Sequence, residues 1–225
     1  MIMHEPRAFA ALRGRLMRNA PLARHTTWHV GGNADLLYAP ADRDDLAEFL
    51  HGIPAAMPVT MLGLGSNVLV RDGGIRGAVV LMHNPGAALA VADGLVYADA
   101  GVASPKLARF AAVHGCAEAE FLAGIPGTVG GALAMNAGCY GGETWNHVIA
   151  VETVDREGRL RHRAPAEFDV SYRHVASRVG ADEWFVSGVF GFQPGEERAA
   201  MRHIKELLQK RVATQPLNQP NAGSV

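Results

Sequence analysis

The chain has 225 residues, 48% of them hydrophobic and 19% charged, with a formal net charge of −1. That length admits one large domain or two small ones, and the composition is rich enough to fill a core, which excludes a disordered chain. No Lys/Arg cluster is dense enough to make nucleic acid or an anionic membrane the expected partner, and the two cysteines, Cys116 and Cys139, lack metal or redox spacing and read as reduced thiols of a cytoplasmic protein.

Residues 1–20 carry charges every few positions and no apolar run, so they are no signal peptide and are expected to form a short lead-in helix. "ADLLYAP" (34–40) predicts a strand ended by Pro40. "DRDDLAEFL" (42–50) predicts a helix with acidic residues in its first turn and Leu46, Phe49 and Leu50 on one face. "VTML" (59–62) and "NVLVRD" (67–72) read as strands around a "GLGS" turn, and "GAVVLM" (77–82) and "LVYADA" (95–100) as two more. "SPKLARFAAVHG" (104–115) has helix punctuation: Ser104 as N-cap, Pro105 in the first turn, Gly115 as C-cap.

"FLAGIPGTVGGALAMNAGCYGG" (121–142) is uncharged over 22 residues, yet its seven glycines and one proline suit no membrane helix. It predicts a buried or ligand-facing loop followed by a short helix. "VIAVETVD" and "RLRHR", joined by "REG", predict a hairpin, and "WFVSGVFGFQ" (184–193) a strand. "GEERAAMRHIKELLQKRVA" (195–213) predicts a helix with Met201, Ile204, Leu207, Leu208 and Val212 on one face, Glu196 and Glu197 near its start, and Lys210 and Arg211 near its end. Many short strands with irregular helix alternation favour an α+β fold over a doubly wound parallel sheet. A subdivision is expected near residue 85, where "HNPGAA" breaks the pattern.

Two segments suit close backbone approach to a ligand. In "LGLGSNVLVRDGG" (62–74), Gly63 and Gly65 flank a tight turn, and successive N–H groups there can form an anion nest for a phosphate. The spacing is neither the G-x-G-x-x-G nor the Walker A pattern, because position 68 is Val and no G-K-[S/T] occurs. A plain glycine turn between strands is the competing reading. In "AGIPGTVGGALAMNAGCYGGE" (123–143), Gly130 and Gly131 open a short helix. Glycine inside a helix costs about 1 kcal/mol relative to alanine, so the pair calls for close contact. Helix amides on a diphosphate and tight helix–sheet packing are equally open.

At these residues the sequence resembles a known family. "TTWHVGGNADLLYAP", "LGLGSNVLVRDGGIRG", "FLAGIPGTVGGALAMNAGCYGGE", "DVSYRHV" and "NAGSV" occur in the order and character of the UDP-N-acetylenolpyruvoylglucosamine reductases (MurB), from about residue 20 to the end. The resemblance implies a two-part FAD-binding domain of the vanillyl-alcohol oxidase and p-cresol methylhydroxylase type. It implies FAD held non-covalently, although His25 sits where the wider fold sometimes carries a covalent link, and NADPH as reductant. The implied substrate is UDP-N-acetylglucosamine enolpyruvate, reduced to UDP-N-acetylmuramate for peptidoglycan by a cytoplasmic, monomeric oxidoreductase with no nucleic-acid or membrane partner.

Carried over by residue, the resemblance makes Arg173 the group that stabilises the enolate-like intermediate and Ser224 the proton donor, with Tyr172 and Arg173 at the substrate. It places FAD along Gly63, Leu64, Gly65, Ser66, Asn67 and Val68. The cofactor continues along Ile125, Pro126, Gly127, Thr128, Gly130, Gly131, Ala132, Asn136 and Gly138, and Gly31 and Gly32 form the flavin rim. The implied organisation is a lead-in (1–20), two FAD subdomains (21–85 and 86–213) and the start of a substrate domain (214–225) that is expected to be cut short before the family's C-terminal glutamate. The stretch between Arg173 and Ser224 has no room for the tyrosine-bearing loop of one branch, so the shorter second type is expected. The alternatives are another oxidase of this flavin fold, against which "SYR" and "GSV" speak, and a flavin-binding module without chemistry.

Overall fold

The computed structural model describes residues 9, 11–180 and 182–215. Strand β1 (Arg15–Pro21) pairs antiparallel with β2 (Asn33–Ala39). Helix α1 (Arg43–Gly52) follows, capped by Asp42, whose carboxylate accepts the Asp45 N–H. Strand β3 (Val59–Leu62) then pairs in parallel with β4 (Ile75–Leu81), which also lies parallel to β2, so the sheet runs β1-β2-β4-β3.

Two expectations fail in this half. Residues 15–20 are strand rather than helix. Their helix-favouring residues lose to the pairing that β2 needs on its open edge, an ordinary tertiary override of propensity. Residues 67–72 form no strand. Leu69 is exposed, and Val70 and Arg71 instead brace Gly31 and Gly32: a Cβ at Gly31 would lie 2.6 Å from the Val70 Cβ, and the Gly32 N–H donates to the Arg71 carbonyl at 3.0 Å.

Beyond Leu81 come β5 (Leu89–Ala92), β6 (Leu95–Asp99), α2 (Ser104–Val113), β7 (Cys116–Ala117), a 3-10 turn (Glu120–Gly124) and α3 (Val129–Ala134). Next are β8 (Gly138–Cys139), β9 (Gly142–Glu143), β10 (Val148–Asp155), β11 (Leu160–Arg163), β12 (Phe168–Ser171) and β13 (His174–Ser177). The chain then adds β14 (Glu183–Gly191), β15 (Gln193–Pro194) and α4 (Glu197–Thr214). Five of these strands make an antiparallel sheet in the order β11-β10-β14-β6-β5. In α2 the N-cap is Ala103, not Ser104; Ser104 is the first helical residue, fully buried, and its Oγ has no partner among the described residues. Among the described residues no helix is long and apolar enough to cross a membrane.

Helix α1 joins the two sheets. Leu46, Phe49 and Leu50 pack on Leu36, Tyr38, Ala78 and Val80 of the first sheet and on Val154 and Val186 of the second. A second core sets α2, α3 and α4 on the other face of the antiparallel sheet, around Leu107, Leu122, Leu133, Phe190 and Ile204. On α4 the inward stripe is Ala200, Ile204 and partly buried Leu208; Val212 is 68% exposed, contrary to expectation, because the stripe runs on to position 211 instead.

Asp45 ties the N-terminal segment to this frame. It is 3% exposed and accepts hydrogen bonds from the Tyr38 hydroxyl, the Ala41 N–H (2.8 Å) and the Arg13 N–H (2.8 Å). Burial opposes its charge, but the bonds from Tyr38, Ala41 and Arg13 outweigh it and hold the carboxyl below the usual carboxylate range. Because the folded-state pKa is depressed, this stabilisation is present above the unfolded pKa near ~4 and is lost as pH falls through the folded value. Asp45→Asn is expected to cost about 2–3 kcal/mol, since three donors lose a charged acceptor, lowering Tm by roughly 5–10 °C. The wild-type advantage over the variant should shrink as thermal melts are taken down from pH 7 to pH 3; a constant gap would count against the role of the Asp45 charge.

Candidate functional site

After β3 the chain turns through Gly63 to Asn67. Gly65 has φ +64°, and a Cβ there would lie 2.0 Å from the His25 carbonyl oxygen. Its own carbonyl accepts the Thr27 N–H at 3.1 Å, which fixes the turn against the preceding segment. Gly63 lies directly on Thr128: a Cβ would come 2.5 Å from Thr128 Oγ1. Among the described residues, no partner accepts the backbone N–H groups of Leu64, Gly65, Ser66, Asn67 or Val68. Gly65 and Ser66 are nevertheless buried. A buried amide left unpaired costs about 1–3 kcal/mol, so this run of free donors is the geometry of a nest awaiting an anion.

Thr128 caps α3, its Oγ1 accepting the Gly131 N–H at 3.4 Å. The next two amides are already spent: Val129 donates to the Val102 carbonyl at 2.8 Å and Gly130 to the Ala100 carbonyl at 2.9 Å. The helix start therefore does not offer the row of open N–H groups that one sequence reading required. Its two glycines divide the labour. A Cβ at Gly130 would lie 2.9 Å from the Ala100 Cβ, which is tight packing. Gly131 is exposed, and a Cβ there would meet nothing nearer than Thr128 Oγ1 at 3.8 Å.

Arg173 arrives from the other side. Ser171 pairs with His174 across β12 and β13, leaving Tyr172 and Arg173 as a two-residue loop. Arg173 has φ +55°, a left-handed conformation that a non-glycine residue adopts only where surrounding contacts hold it. Its Nη1 donates to the Asn136 carbonyl at 3.2 Å and its Nη2 to the Gly138 carbonyl at 2.9 Å. The guanidinium also stands 5.1 Å from the ring centre of Tyr172, which is 78% exposed. Asn136 is itself at φ +43°. Its Nδ2 donates to Glu143 Oε2 (3.0 Å) and the Ser171 carbonyl (3.3 Å), while its Oδ1 accepts the Trp145 N–H (3.1 Å). That side chain is fully engaged within the protein, so Asn136 positions Arg173 rather than reaching a ligand.

These elements enclose a cleft of about 210 Å³. Of the residues expected at the site, Ser66, Asn67, Ile125, Pro126, Gly127, Gly131, Ala132, Gly138 and Arg173 line it. Gly31, Gly32, Gly63, Leu64, Gly65, Val68, Thr128, Gly130, Asn136 and Tyr172 are not in its wall; Gly31, Gly32, Gly63, Thr128, Gly130 and Asn136 act one layer behind through the contacts above. Ser224 lies outside the described residues.

Sequence reasoning missed Met135, Cys139, Arg211 and Gln215 in the wall. Arg211 had a signal: it follows Ile204 and Leu208 at helical spacing, placing a guanidinium on the inward face of α4, where Nη1 donates to the Gly124 carbonyl at 2.7 Å. Burial pushes the Cys139 thiol up, against the pull of Arg211 and Arg173, so it is a neutral wall rather than a nucleophile. Among the described residues no carboxylate lines the cleft, and no group of three or more metal-ligating side chains is found. Free amides, the Arg211 guanidinium and the side-chain-free backbone at Gly127 and Gly131 together fit the diphosphate of a dinucleotide such as FAD.

Comparison with known proteins gives the same cofactor. Residues 34–163 match the family model described as FAD binding domain. The chain is 51% identical over 228 residues to the UDP-N-acetylenolpyruvoylglucosamine reductase of Thiobacillus denitrificans, covering 95% of this chain and 70% of that one. To the protein of the same name from Methylococcus capsulatus it is 53% identical over 220 residues, covering 97% and 72%. The crystal structure of UDP-N-acetylenolpyruvylglucosamine reductase (MurB) from Thermus caldophilus superposes with a TM-score of 0.74 at 28% identity, over 94% of this chain and 73% of that one. The architecture is thus the α+β FAD-binding fold of the vanillyl-alcohol oxidase and p-cresol methylhydroxylase type. With relatives about half identical over nearly its whole length, and the FAD-binding model spanning more than half of it, the chain belongs to the UDP-N-acetylenolpyruvoylglucosamine reductase family of flavin oxidoreductases.

Proposed function

We propose that this chain reduces UDP-N-acetylglucosamine enolpyruvate to UDP-N-acetylmuramate, a peptidoglycan precursor, at the expense of NADPH in the cytoplasm. The observation that carries the reading is Arg173, held at a strained φ with its guanidinium in the wall of a cleft that Ser66 and Asn67 of the free-amide turn also line. The sheets on either side of residue 85 correspond to the two halves of the flavin domain, 21–85 and 86–213, with β1 (Arg15–Pro21) adding an edge strand from the lead-in, and the short span from Arg173 to Ser224 fits the second type of the family.

The free N–H groups of Ser66 and Asn67, which line the cleft, would hold the cofactor diphosphate, and Gly127 and Gly131 would let it approach the backbone. FAD, when bound and reduced by hydride from NADPH, would supply the hydride that adds to the enolpyruvyl double bond. Negative charge then grows on the carboxylate side of the substrate. Arg173 meets it with a guanidinium suited to bidentate bonds with a carboxylate, and its preset position spares reorganisation as the charge develops. Ser224 Oγ gives its proton to the carbon beside the carboxylate, a task that a weak acid performs only when held against that carbon. Asn136 keeps the Arg173 perch in place through Glu143, Trp145 and the Ser171 carbonyl.

The first test is the visible absorption spectrum of the purified chain after FAD addition and desalting, followed by NADPH oxidation with and without the UDP-sugar. Retained flavin with oxidation that depends on the UDP-sugar is expected; oxidation indifferent to it would sink the substrate assignment. Gly131→Leu should lower FAD affinity tenfold or more, about 1.4 kcal/mol, with the flavin-free Tm unchanged. Gly130→Ala should instead lower Tm, because the added methyl meets Ala100. Equal flavin affinity in Gly131→Leu would remove the cleft assignment. Arg173→Lys should leave flavin binding within a few-fold while reducing kcat by roughly 10²–10³, the scale of one lost charge-stabilising group; an unchanged kcat would take Arg173 out of the chemistry.

A further inference from the structure

The 3-10 turn Glu120–Gly124 and the β8–β9 hairpin have two sides. Gly124 and Cys139 face the cofactor cleft. On the opposite side, Glu118, Glu120, Phe121, Tyr140, His147 and His203 border a separate pocket of about 490 Å³, none of whose lining residues is assigned above to the cofactor or the substrate. We propose that this pocket binds a small organic cation through an ammonium or guanidinium head.

Glu120 carries the inference. It is only 7% exposed, yet no hydrogen-bond or ion-pair partner accompanies it among the described residues. Ser104 Oγ is the only sealed side-chain polar atom without a partner among those residues, so the Glu120 carboxylate is not sealed in protein: what accessibility it keeps is at the head group, on the pocket. A carboxylate that opens on a pocket with no donor from the described residues beside it leaves its acceptor sites to whatever enters. A second carboxylate, Glu118, stands on the same wall at φ +70°, a conformation that a glutamate seldom adopts. Among the described residues no Lys or Arg lines the pocket; the basic side chains in its wall are the imidazoles of His147 and His203.

The chemistry of the wall selects the ligand class. Among the described residues no three metal-ligating side chains converge, which disfavours a bare divalent ion. Tyr140, 37% exposed, brings an open ring to the wall, while Phe121 and His147 line it and stack on each other at 5.7 Å. Carboxylates beside aromatic faces suit a cation that has N–H donors and an apolar flank. The pocket is also preformed, since the Tyr140 hydroxyl donates to the Leu207 carbonyl at 2.9 Å and ties the hairpin tip to α4. None of this depends on the cofactor or substrate reading above.

The test is calorimetric titration of the FAD-loaded chain at matched ionic strength with methylguanidinium, spermidine and magnesium chloride. Saturable binding of an organic cation is expected, weakened at least tenfold by Glu120→Gln and several-fold by Glu118→Gln, with the flavin spectrum retained. Tighter binding of methylguanidinium would point to an arginine-like side chain as the source, and tighter binding of spermidine to a free polyamine. No saturation by either organic cation, equal binding by Glu120→Gln, or preferential binding of magnesium would each overturn the proposal. Should Glu120→Gln fail to fold, amide shifts of the wild-type chain decide: shifts centred on residues 118–121 and 140–142 support the site, and shifts elsewhere overturn it.

Discussion

At Gly63 one backbone runs so close to Thr128 that a single added carbon would sit 2.5 Å from its hydroxyl oxygen. The rest of the site depends on that approach. It sets the turn that follows β3 against the start of α3, and Asn67 adds a second stitch with its Nδ2 3.2 Å from the Met135 sulfur. Glycine-rich segments of this kind cannot order themselves, because they bring little apolar surface to offset the entropy they lose. Order is supplied from both sides. Helix α1 joins the two sheets in one core, and α2, α3 and α4 form another. The loops can then be spent on backbone donors rather than on packing.

The perch of Arg173 shows how such a frame holds local strain. A left-handed non-glycine residue costs on the order of 1–3 kcal/mol. Two hydrogen bonds from its charged guanidinium to the carbonyls of Asn136 and Gly138 offset a cost of that size. Asn136 is strained too, and its amide binds three separate segments at once: β9 through Glu143, the Trp145 backbone, and the β12–β13 hairpin through Ser171. The two strained residues support each other through the Asn136 carbonyl, so the guanidinium is aimed by the protein before any ligand arrives.

What could be read in the sequence follows from how local each cause is. Helix α1, strand β3 and helix α4 carry their own signals: a cap, a β-branched run, an apolar stripe at helical spacing. Residues 15–20 carry none that outweighs the open edge of β2, and residues 67–72 look like a strand until Gly31 and Gly32 claim Val70 and Arg71. The site was legible in part for a related reason. A glycine announces that a side chain is forbidden, not what would collide with it. Gly130 and Gly131 are neighbours in sequence, yet one is pressed on Ala100 and the other faces open cleft. The family motifs located both loops and Arg173, while Arg211 needed the phase of α4 to be followed one turn past Leu208, and the Asn136 network needed four segments to be brought together.

The near-neutral total of −1 hides a partition of charge across one thin layer of structure. On the cleft side of the 120–124 turn and the β8–β9 hairpin stand Arg173 and Arg211, with no carboxylate in the wall among the described residues. On the other side stand Glu118 and Glu120, with no Lys or Arg among the described residues. No side-chain hydrogen bond or ion pair joins the two sets among those residues. Each side therefore keeps an unspent potential for an incoming partner of the opposite sign. A cleft cleared of carboxylates favours a diphosphate and a carboxylate substrate, and concentrating acids on the reverse face achieves that without giving the chain a large net charge.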